Sequence, residues 1–287
     1  MTANKAKYKA GKPVRRGRSG RGFWIAGAIV VVVGVAAVVA FGAGSKSTTT
    51  DQLAGSALLA KVTSVPTKVS DQIGIGSAVA APKPITAPAL TVGGKPHILY
   101  VGAEYCPYCA TERWPMVIAL SRFGTFTGLK LTHSSGTDVF PNTQTFSFHG
   151  ATYQSKWISF SGVEMQSNER KGDSYAKLDS LSAEELRILD TYDRAPYVAG
   201  AGAGGGIPFI DFGGRFVVSG ATFDAAVLAG KSHDQIASAL SDPASAISQG
   251  AIGAANSFTA AICVLTGDQP KSVCSDPAIQ NIGRTLH

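Results

Sequence analysis

The chain has 287 residues, of which 45% are hydrophobic, so it is long and apolar enough for one or two domains with a substantial core. Its formal net charge of +7 arises in the first 21 residues, which hold eight Lys and Arg residues. Removing those eight leaves 18 basic against 19 acidic residues, and this balance excludes the basic surface that nucleic-acid binding by the rest of the chain would need.

An uncharged segment, residues 22–44, follows the basic tail and includes an apolar run of about 20 residues, the length that spans a bilayer core. Basic residues are dense before this segment, whereas Lys46 stands alone just after it. This asymmetry predicts a single-pass protein of the cell membrane, with a cytoplasmic tail (1–21), a transmembrane helix (22–44) and an extracytoplasmic C-terminal part. Cleavage as a signal peptide near Ala40 is the alternative.

Residues 45–92 are predicted to form a linker and an N-terminal arm. A polar stretch leads into a short helix over Leu53–Val62, with Asp51 as its cap. Prolines are frequent from Pro66 onward, which indicates a semi-rigid spacer or an arm packed on the following domain.

The most informative stretch runs from a buried strand into a helix and carries two cysteines. Ile98–Val101 is a continuous apolar run after a Gly-Gly turn, which predicts a strand buried on both faces. Cys106-Pro107-Tyr108-Cys109 follows, and a helix is predicted from Pro107 to Phe123. The N-terminus of a helix favours a thiolate, the reactive form of cysteine. The spacing therefore predicts a redox dithiol, with half of a zinc site or a structural disulfide as alternatives.

The segment between this helix and residue 200 is predicted to contain both strands and a helix. Leu129–His133 is predicted as a strand that pairs in parallel with the first one through a right-handed crossover. The remaining predictions are two strands, a polar loop, and a helix capped by a serine before a glutamate, at Thr145–Phe148, Thr152–Phe160, Ser167–Lys177 and Ser180–Leu189, with Ser180 or Ser182 as the cap.

A second strand-forming region follows about a hundred residues after the dithiol. Two apolar strands flank the turn Gly213-Gly214, with Pro208 at the start of the first. The Ala/Gly-rich run before it, residues 199–206, is predicted to be a flexible loop beside the active site. A helical region over about 232–287, broken at Pro243, is predicted to end the chain.

These motifs resemble the thioredoxin superfamily. More closely, they are similar to an uncharacterised family of membrane-anchored thioredoxin-like proteins, known as a domain of unknown function. The resembling stretches are 94–109, 140–160, 207–211 and 260–274. The resemblance implies an α/β, thioredoxin-like fold over residues 93–287, with an inserted segment at about 134–200. It also implies that Pro208 is a cis-proline facing the dithiol, and that Ile207 and Tyr108 dock the substrate.

Two further cysteines, Cys263 and Cys274, stand eleven residues apart on either side of a Gly-Asp-Gln-Pro turn. Disulfides persist outside the cytoplasm, so a structural disulfide worth roughly 2 to 3 kcal/mol is predicted here. A second shuttle pair that passes electrons to the dithiol, or a zinc site, are the alternatives.

The sequence thus predicts a membrane-anchored thiol–disulfide oxidoreductase, in which Cys106 exchanges with a substrate and Cys109 resolves the mixed disulfide. The alternative is a catalytically idle thioredoxin-like binding module. Glu104 and Glu112 are the nearest carboxylates that could relay a proton to Cys109, and a surface position is the simpler interpretation of both.

The expected partners are exported proteins with thiols or disulfides and a redox partner in the membrane. No cofactor, metal or nucleic acid is expected. The histidines at positions 97, 133, 149 and 233 are scattered, and each is interpreted as an ordinary strand or surface residue.

Overall fold

The computed structural model describes residues 52–198 and 205–286. The chain divides into two units, Met1–Lys46 and Ser47–His287, and all described residues belong to the second. The predicted tail, the transmembrane helix, the Asp51 cap and most of the Ala/Gly-rich loop lie outside the described residues.

The described residues form twelve strands, eight α-helices and one 3-10 helix. The strands are β1 (Lys83–Pro84), β2 (Thr91–Val92), β3 (Lys95–Gly102), β4 (Gly124–Thr127), β5 (Lys130–His133), β6 (Gln144–Ser147), β7 (Thr152–Ser155), β8 (Ser159–Glu164), β9 (Gln166–Lys171), β10 (Ser174–Lys177), β11 (Phe209–Phe212) and β12 (Phe216–Ser219). The α-helices are α1 (Ser56–Thr63), α2 (Thr67–Ile73), α3 (Pro107–Ser121), α4 (Ala183–Tyr192), α5 (His233–Ala239), α6 (Ala246–Leu265), α7 (Lys271–Cys274) and α8 (Pro277–Gly283), and the 3-10 helix is Ala225–Leu228.

A mixed sheet with β3 at its centre organises the domain. One edge of β3 pairs antiparallel with β11, which continues to β12 and β1, and the other edge pairs in parallel with β8. The four residues Ile98–Val101 are 0% exposed, which confirms the predicted strand buried on both faces. Side chains alternate across a strand, so this one run contributes to the core on both sides of the sheet.

Helices cover both faces of this sheet. Ile98 and Tyr100 belong to the larger apolar cluster, together with α3, α6 and the arm helices α1 and α2. Leu99 and Val101 belong to the smaller cluster, which includes Ile188 of α4. The helix predicted from Pro107 to Phe123 is confirmed as α3, which begins at Pro107 and ends at Ser121.

The predicted strand, Gly-Gly turn and strand are confirmed as β11 and β12. Gly213 and Gly214 have φ of 65° and 71°, which is the left-handed region that a two-residue hairpin turn requires at both positions. The Asp211 carboxylate accepts a hydrogen bond from the Gly214 N–H at 2.6 Å and fixes the turn.

The predicted parallel pairing of Leu129–His133 with the first strand is wrong. β5 pairs antiparallel with β6 in a separate two-stranded sheet, and the parallel neighbour of β3 is β8. The chain enters β4 directly after α3, and β4 pairs with β7. Phe126 of β4 packs against Phe148 and against Phe160 of β8, the strand that occupies the parallel edge of β3.

Two other predictions of the middle segment need correction. The predicted strand over Thr152–Phe160 is divided into β7 and β8, because the Ser155 hydroxyl accepts the N–H of Trp157 at 3.0 Å and turns the chain. The predicted polar loop Ser167–Lys177 is instead the β9–β10 hairpin, which turns at Gly172 with φ of 64°.

Helix capping agrees with the sequence in α4 and differs in α1. Ser182 is the α4 cap, in a capping box with Glu185. The α1 helix begins at Ser56 with Gly55 at its N-cap, so the described start of the helix carries no side-chain cap.

The arm packs on the domain through a second helix, α2, which was not predicted because the prolines from Pro66 onward indicated irregular structure. Asn256 of α6 donates to the backbone oxygens of Ser70 and Gly74 at 3.0 and 2.7 Å, and the Ser70 hydroxyl donates to the Asn256 side chain at 2.6 Å. These buried bonds join the arm to the core helix.

The C-terminal region consists of α5 to α8, with the break near Pro243 between α5 and α6 as predicted. Among the described residues, α6 is the one helix long and apolar enough to cross a membrane, and 89% of its most apolar window is buried inside the domain. Cys263 and Cys274 form a disulfide with their Cα atoms 5.6 Å apart. Their sulfurs are therefore bonded to each other and not free to bind a metal.

Candidate active site

Cys106 occupies the N-cap of α3 and follows the end of β3 after a short turn. Its backbone is extended, Pro107 begins the helix, and the Cys106 sulfur accepts the Cys109 N–H at 3.2 Å. Both thiols are free, and both are buried, with Cys106 at 5% exposure and Cys109 at 0%. The N-terminal N–H groups of a helix have no intrahelical acceptor, so they are available to a thiolate at this position.

Pro208 lies opposite the dithiol, although about a hundred residues separate them in the chain. The Ile207–Pro208 peptide bond is cis, and the Cys106 sulfur lies 3.7 Å from the Ile207 carbonyl oxygen. The antiparallel pairing of β11 with β3 causes this approach, because it places the start of β11 beside the end of β3.

The two sulfurs have opposite ionisation behaviour. The hydrogen bond from Cys109 lowers the pKa of the Cys106 thiol against the effect of burial, and backbone N–H groups and Arg113 lower it further. Complete burial raises the pKa of Cys109 well above its ordinary value. Cys106 is therefore the more readily ionised thiol of the pair, and Cys109 is held as a thiol.

A buried ion pair that the sequence analysis missed lies behind the dithiol. Arg113 and Glu164 are both 0% exposed, and two guanidinium nitrogens donate to the two carboxylate oxygens at 2.7 and 2.6 Å. The same guanidinium donates to the Ala103 carbonyl at 2.8 Å. Burial alone disfavours the charge, but Glu164 holds the pKa of Arg113 above its usual range, so the side chain stays cationic.

Tyr100 brings a hydroxyl to the same buried region. The Arg113 guanidinium lies 5.9 Å from the centre of the Tyr100 ring. Burial raises the pKa of Tyr100 well above its ordinary value, and both cysteines act on it electrostatically. The hydroxyl therefore remains a protonated donor near the dithiol.

Glu104 and Glu112 are both buried, so the surface positions interpreted from the sequence are wrong. The Glu112 carboxylate is 0% exposed and accepts the Thr222 N–H at 2.9 Å and its hydroxyl at 3.0 Å. Burial raises the pKa of Glu112 to about 8. Amphipathic spacing did not reveal this burial, because α3 is enclosed nearly all round.

Glu104 faces the ion pair. It is 8% exposed, and burial raises its pKa, while the Ser147 hydroxyl and Arg113 oppose that rise. The groups that act on the pKa of Glu104 are thus Ser147, Arg113, Glu164 and His149. The hydrogen bonds that act on the pKa of Glu112 come from Thr222.

Tyr105 and Tyr108, next to the cysteines, pack against aromatic side chains from the segment between α3 and residue 200. Tyr108, between the cysteines, is 42% exposed and meets the edge of Phe140 at a ring distance of 6.3 Å. Tyr105 stacks on Tyr175 of β10 at 4.3 Å, and the Tyr175 hydroxyl donates to Ser135 at 2.7 Å. The β9–β10 hairpin is therefore attached directly to the dithiol loop.

The histidines occupy ordinary environments. His97 is next to the Ser159 hydroxyl at 2.9 Å, His149 is paired with Asp179 at 2.7 Å, and His233 contacts the Thr145 carbonyl at 2.7 Å. Each of these three is therefore engaged by a protein group.

The fold and the site define a mixed α/β domain that presents a dithiol at the start of a buried helix, opposite a cis-proline. The chain belongs to the DUF929 family, a domain of unknown function, whose model matches residues 84–264. The match includes the dithiol, the Arg113–Glu164 pair and Pro208. No curated protein and no solved structure matched the chain.

Proposed function

We propose that this protein is a membrane-anchored, extracytoplasmic thiol–disulfide oxidoreductase that acts through Cys106 and Cys109. The observation that carries the proposal is the position of the Cys106 sulfur. It accepts the Cys109 N–H at the start of α3 and lies 3.7 Å from the Ile207 carbonyl oxygen. A protein that only binds partners has no need of a free thiol with a lowered pKa at a helix N-terminus.

A thioredoxin-like fold is part of the proposal. Its support is the order of elements around the site, in which β3 leads through the dithiol into α3 and the strand after a cis-proline pairs antiparallel with β3. In the sequence, strands β4 to β10 and helix α4 lie between the dithiol and the cis-proline. These elements would shape the surface that a substrate meets.

The reaction begins at Cys106. Its thiolate attacks a substrate disulfide to form a mixed disulfide, and Cys109, one helical turn away, attacks Cys106 and releases the reduced substrate. In the oxidising direction the same steps run in reverse. The Ile207 carbonyl, within 3.7 Å of the Cys106 sulfur, and the exposed Tyr108 ring are placed to dock the substrate chain.

The proposed location rests on the uncharged segment 22–44 behind a basic tail. The Cys263–Cys274 disulfide agrees with it, because such bonds persist in oxidising compartments. Exported proteins with thiols or disulfides would be the substrates, and a membrane redox protein would restore the dithiol.

A trapping experiment tests the proposal. Cys109→Ser leaves Cys106 able to attack but unable to be resolved, so it should accumulate mixed disulfides that migrate as reducible adducts on non-reducing gels. Cys106→Ser is the matched control and should form none. If Cys109→Ser also forms no adducts with exported proteins or with a model disulfide peptide, the binding-module alternative replaces the oxidoreductase.

A further inference from the structure

We infer that Arg113, held in place by Glu164, is a positioning residue that stabilises the thiolate of Cys109 when this thiol resolves the mixed disulfide. The inference rests on the proposed exchange function and adds a role to a buried side chain. It assigns the stabilisation of Cys109 to a fixed buried cation, whereas the sequence offered Glu104 and Glu112 only as carboxylates that could relay a proton.

The first support is position. Arg113 follows Cys109 by four residues in α3, so the two side chains lie on the same face of the helix, one turn apart. Ala103 connects them, because its carbonyl accepts from Arg113 at 2.8 Å while its backbone N–H acts on the Cys109 sulfur. Both side chains are 0% exposed, so their interaction is little screened by solvent.

The second support is the direction of the charge effects. Arg113 lowers the pKa of both cysteines. The Glu164 carboxylate pairs with the guanidinium by accepting hydrogen bonds from Nε and Nη2 of Arg113. The Nη1 atom of Arg113 and the hydroxyl of Tyr100 are buried donors that have no hydrogen-bond partner among the described residues. Arg113 is thus a cation near the dithiol with one unpaired N–H donor, and Tyr100 supplies an unpaired O–H donor next to it. Such donors suit a negative charge that appears only during the reaction.

The third support is that the carboxylates are engaged elsewhere. Glu112 is bound by Thr222, and no cysteine contributes to its ionisation. Glu104 interacts with Ser147 and with the ion pair itself. Arg113 is therefore the charged side chain that lowers the pKa of Cys109 from within the core.

In the reducing direction, the resolving step starts from the mixed disulfide between Cys106 and the substrate. The Cys109 thiol loses its proton to solvent, and its thiolate attacks the Cys106 sulfur of the mixed disulfide. The Cys106–Cys109 bond forms, the bond from Cys106 to the substrate sulfur breaks, and the substrate leaves as a thiolate that takes a proton from solvent. The dithiol loses two electrons and the substrate disulfide gains them. In the oxidising direction Cys109 is the leaving thiolate, so Arg113 assists both directions.

The test separates the two steps with an aromatic disulfide, 5,5′-dithiobis(2-nitrobenzoate), and the reduced full chain in stopped flow. Attack by Cys106 releases one coloured thiolate, and resolution by Cys109 releases the second. The pH dependence of the second release reports the ionisation of Cys109 while Cys106 is already in a disulfide. Arg113→Met should slow the second release at least fivefold at pH 7 and move its pH profile to higher pH, whereas Arg113→Lys should recover most of the rate.

Two further variants make the test decisive. Glu164→Gln removes the neutralising charge, so the profile of the second release should move to lower pH, opposite to Arg113→Met. Arg122→Met is the matched control, because Arg122 lies at the far end of α3 and donates to the neutral side chains of Ser70, Asn256 and Thr259. It should leave the profile unchanged.

An unchanged second-release profile in Arg113→Met, or a shift of Glu164→Gln to higher pH, overturns the role of Arg113 and leaves the oxidoreductase standing. If the unmodified chain releases no second thiolate, the proposed function fails and the inference fails with it.

Discussion

At the scale of single residues, the buried carboxyl of Glu112 has the clearest measurable consequence. Burial raises its folded-state pKa to about 8 from an ordinary value of 4.5. An acid whose pKa is raised on folding contributes stability that is fully present below the unfolded pKa and is lost as pH rises through the folded pKa. The window for this loss is therefore about pH 4.5 to 8.

Glu112→Gln is expected to remove this pH dependence. Relative to the variant, the unmodified chain should lose free energy of unfolding as pH rises from 5 to 8, by at most about 1.4 kcal/mol per pH unit. Urea unfolding at several pH values measures the difference. Glu169→Gln, at an exposed position of β9, is the matched control and should follow the unmodified chain. Parallel pH curves for all three proteins would show that Glu112 does not titrate in this window.

The two-residue cysteine spacing before a helix located Cys106 and Cys109 in the sequence, whereas the position of Pro208 opposite them was implied by the resemblance to thioredoxin-like proteins. The sequence analysis did not identify Arg113 and Glu164, because each charge can be buried only beside its partner, which lies 51 residues away in the chain. A charged residue four positions after the second cysteine, on the same helix face, was the one available indication.

At the scale of elements, β8 packs closely against both β3 and the aromatic cluster around Phe148. Gly162 lies opposite Tyr100 in the β3–β8 register. A Cβ atom at Gly162 would lie 2.5 Å from the Cβ of Phe148, so the sheet and the aromatic cluster meet at a position where a side chain has no room.

Gly162→Ala should therefore destabilise the domain by about 1 to 3 kcal/mol through overpacking. Chemical unfolding followed by fluorescence measures this loss. Gly283→Ala is the control, because a Cβ there contacts nothing within 4 Å at the end of α8. A Gly162→Ala variant as stable as its control would contradict the packing described for β8.

Alternation and turn residues predicted the strands and helices on either side of the dithiol and the β11–β12 hairpin, but they missed α2 and the β9–β10 hairpin and gave β5 the wrong partner. The β11–β12 hairpin was predictable because its turn is two residues long and both are glycine. The partner of β5 was not, since the residue pattern of one strand does not identify its neighbour, and β5 pairs with β6 and not with β3.

At the scale of the whole molecule, the Cys263–Cys274 disulfide joins the end of α6 to α7 and so ties the C-terminal helices to the core. Its sequence separation of 11 residues predicts a contribution of roughly 2 to 3 kcal/mol. The double variant Cys263→Ala and Cys274→Ala should lower the free energy of unfolding by that amount and leave thiol exchange at Cys106 unchanged. Loss of exchange with little loss of stability would instead indicate a second shuttle pair.

The central claim is that Cys106 and Cys109 form a working redox couple, and their reduction potential tests it most directly. The full chain is equilibrated in glutathione buffers and alkylated, and the modified cysteines are counted, with Cys106→Ser as the control. We expect a reversible two-electron transition, above about −200 mV for an oxidase or isomerase and near −270 mV for a reductase. A pair that remains wholly disulfide or wholly dithiol across these buffers would contradict the account.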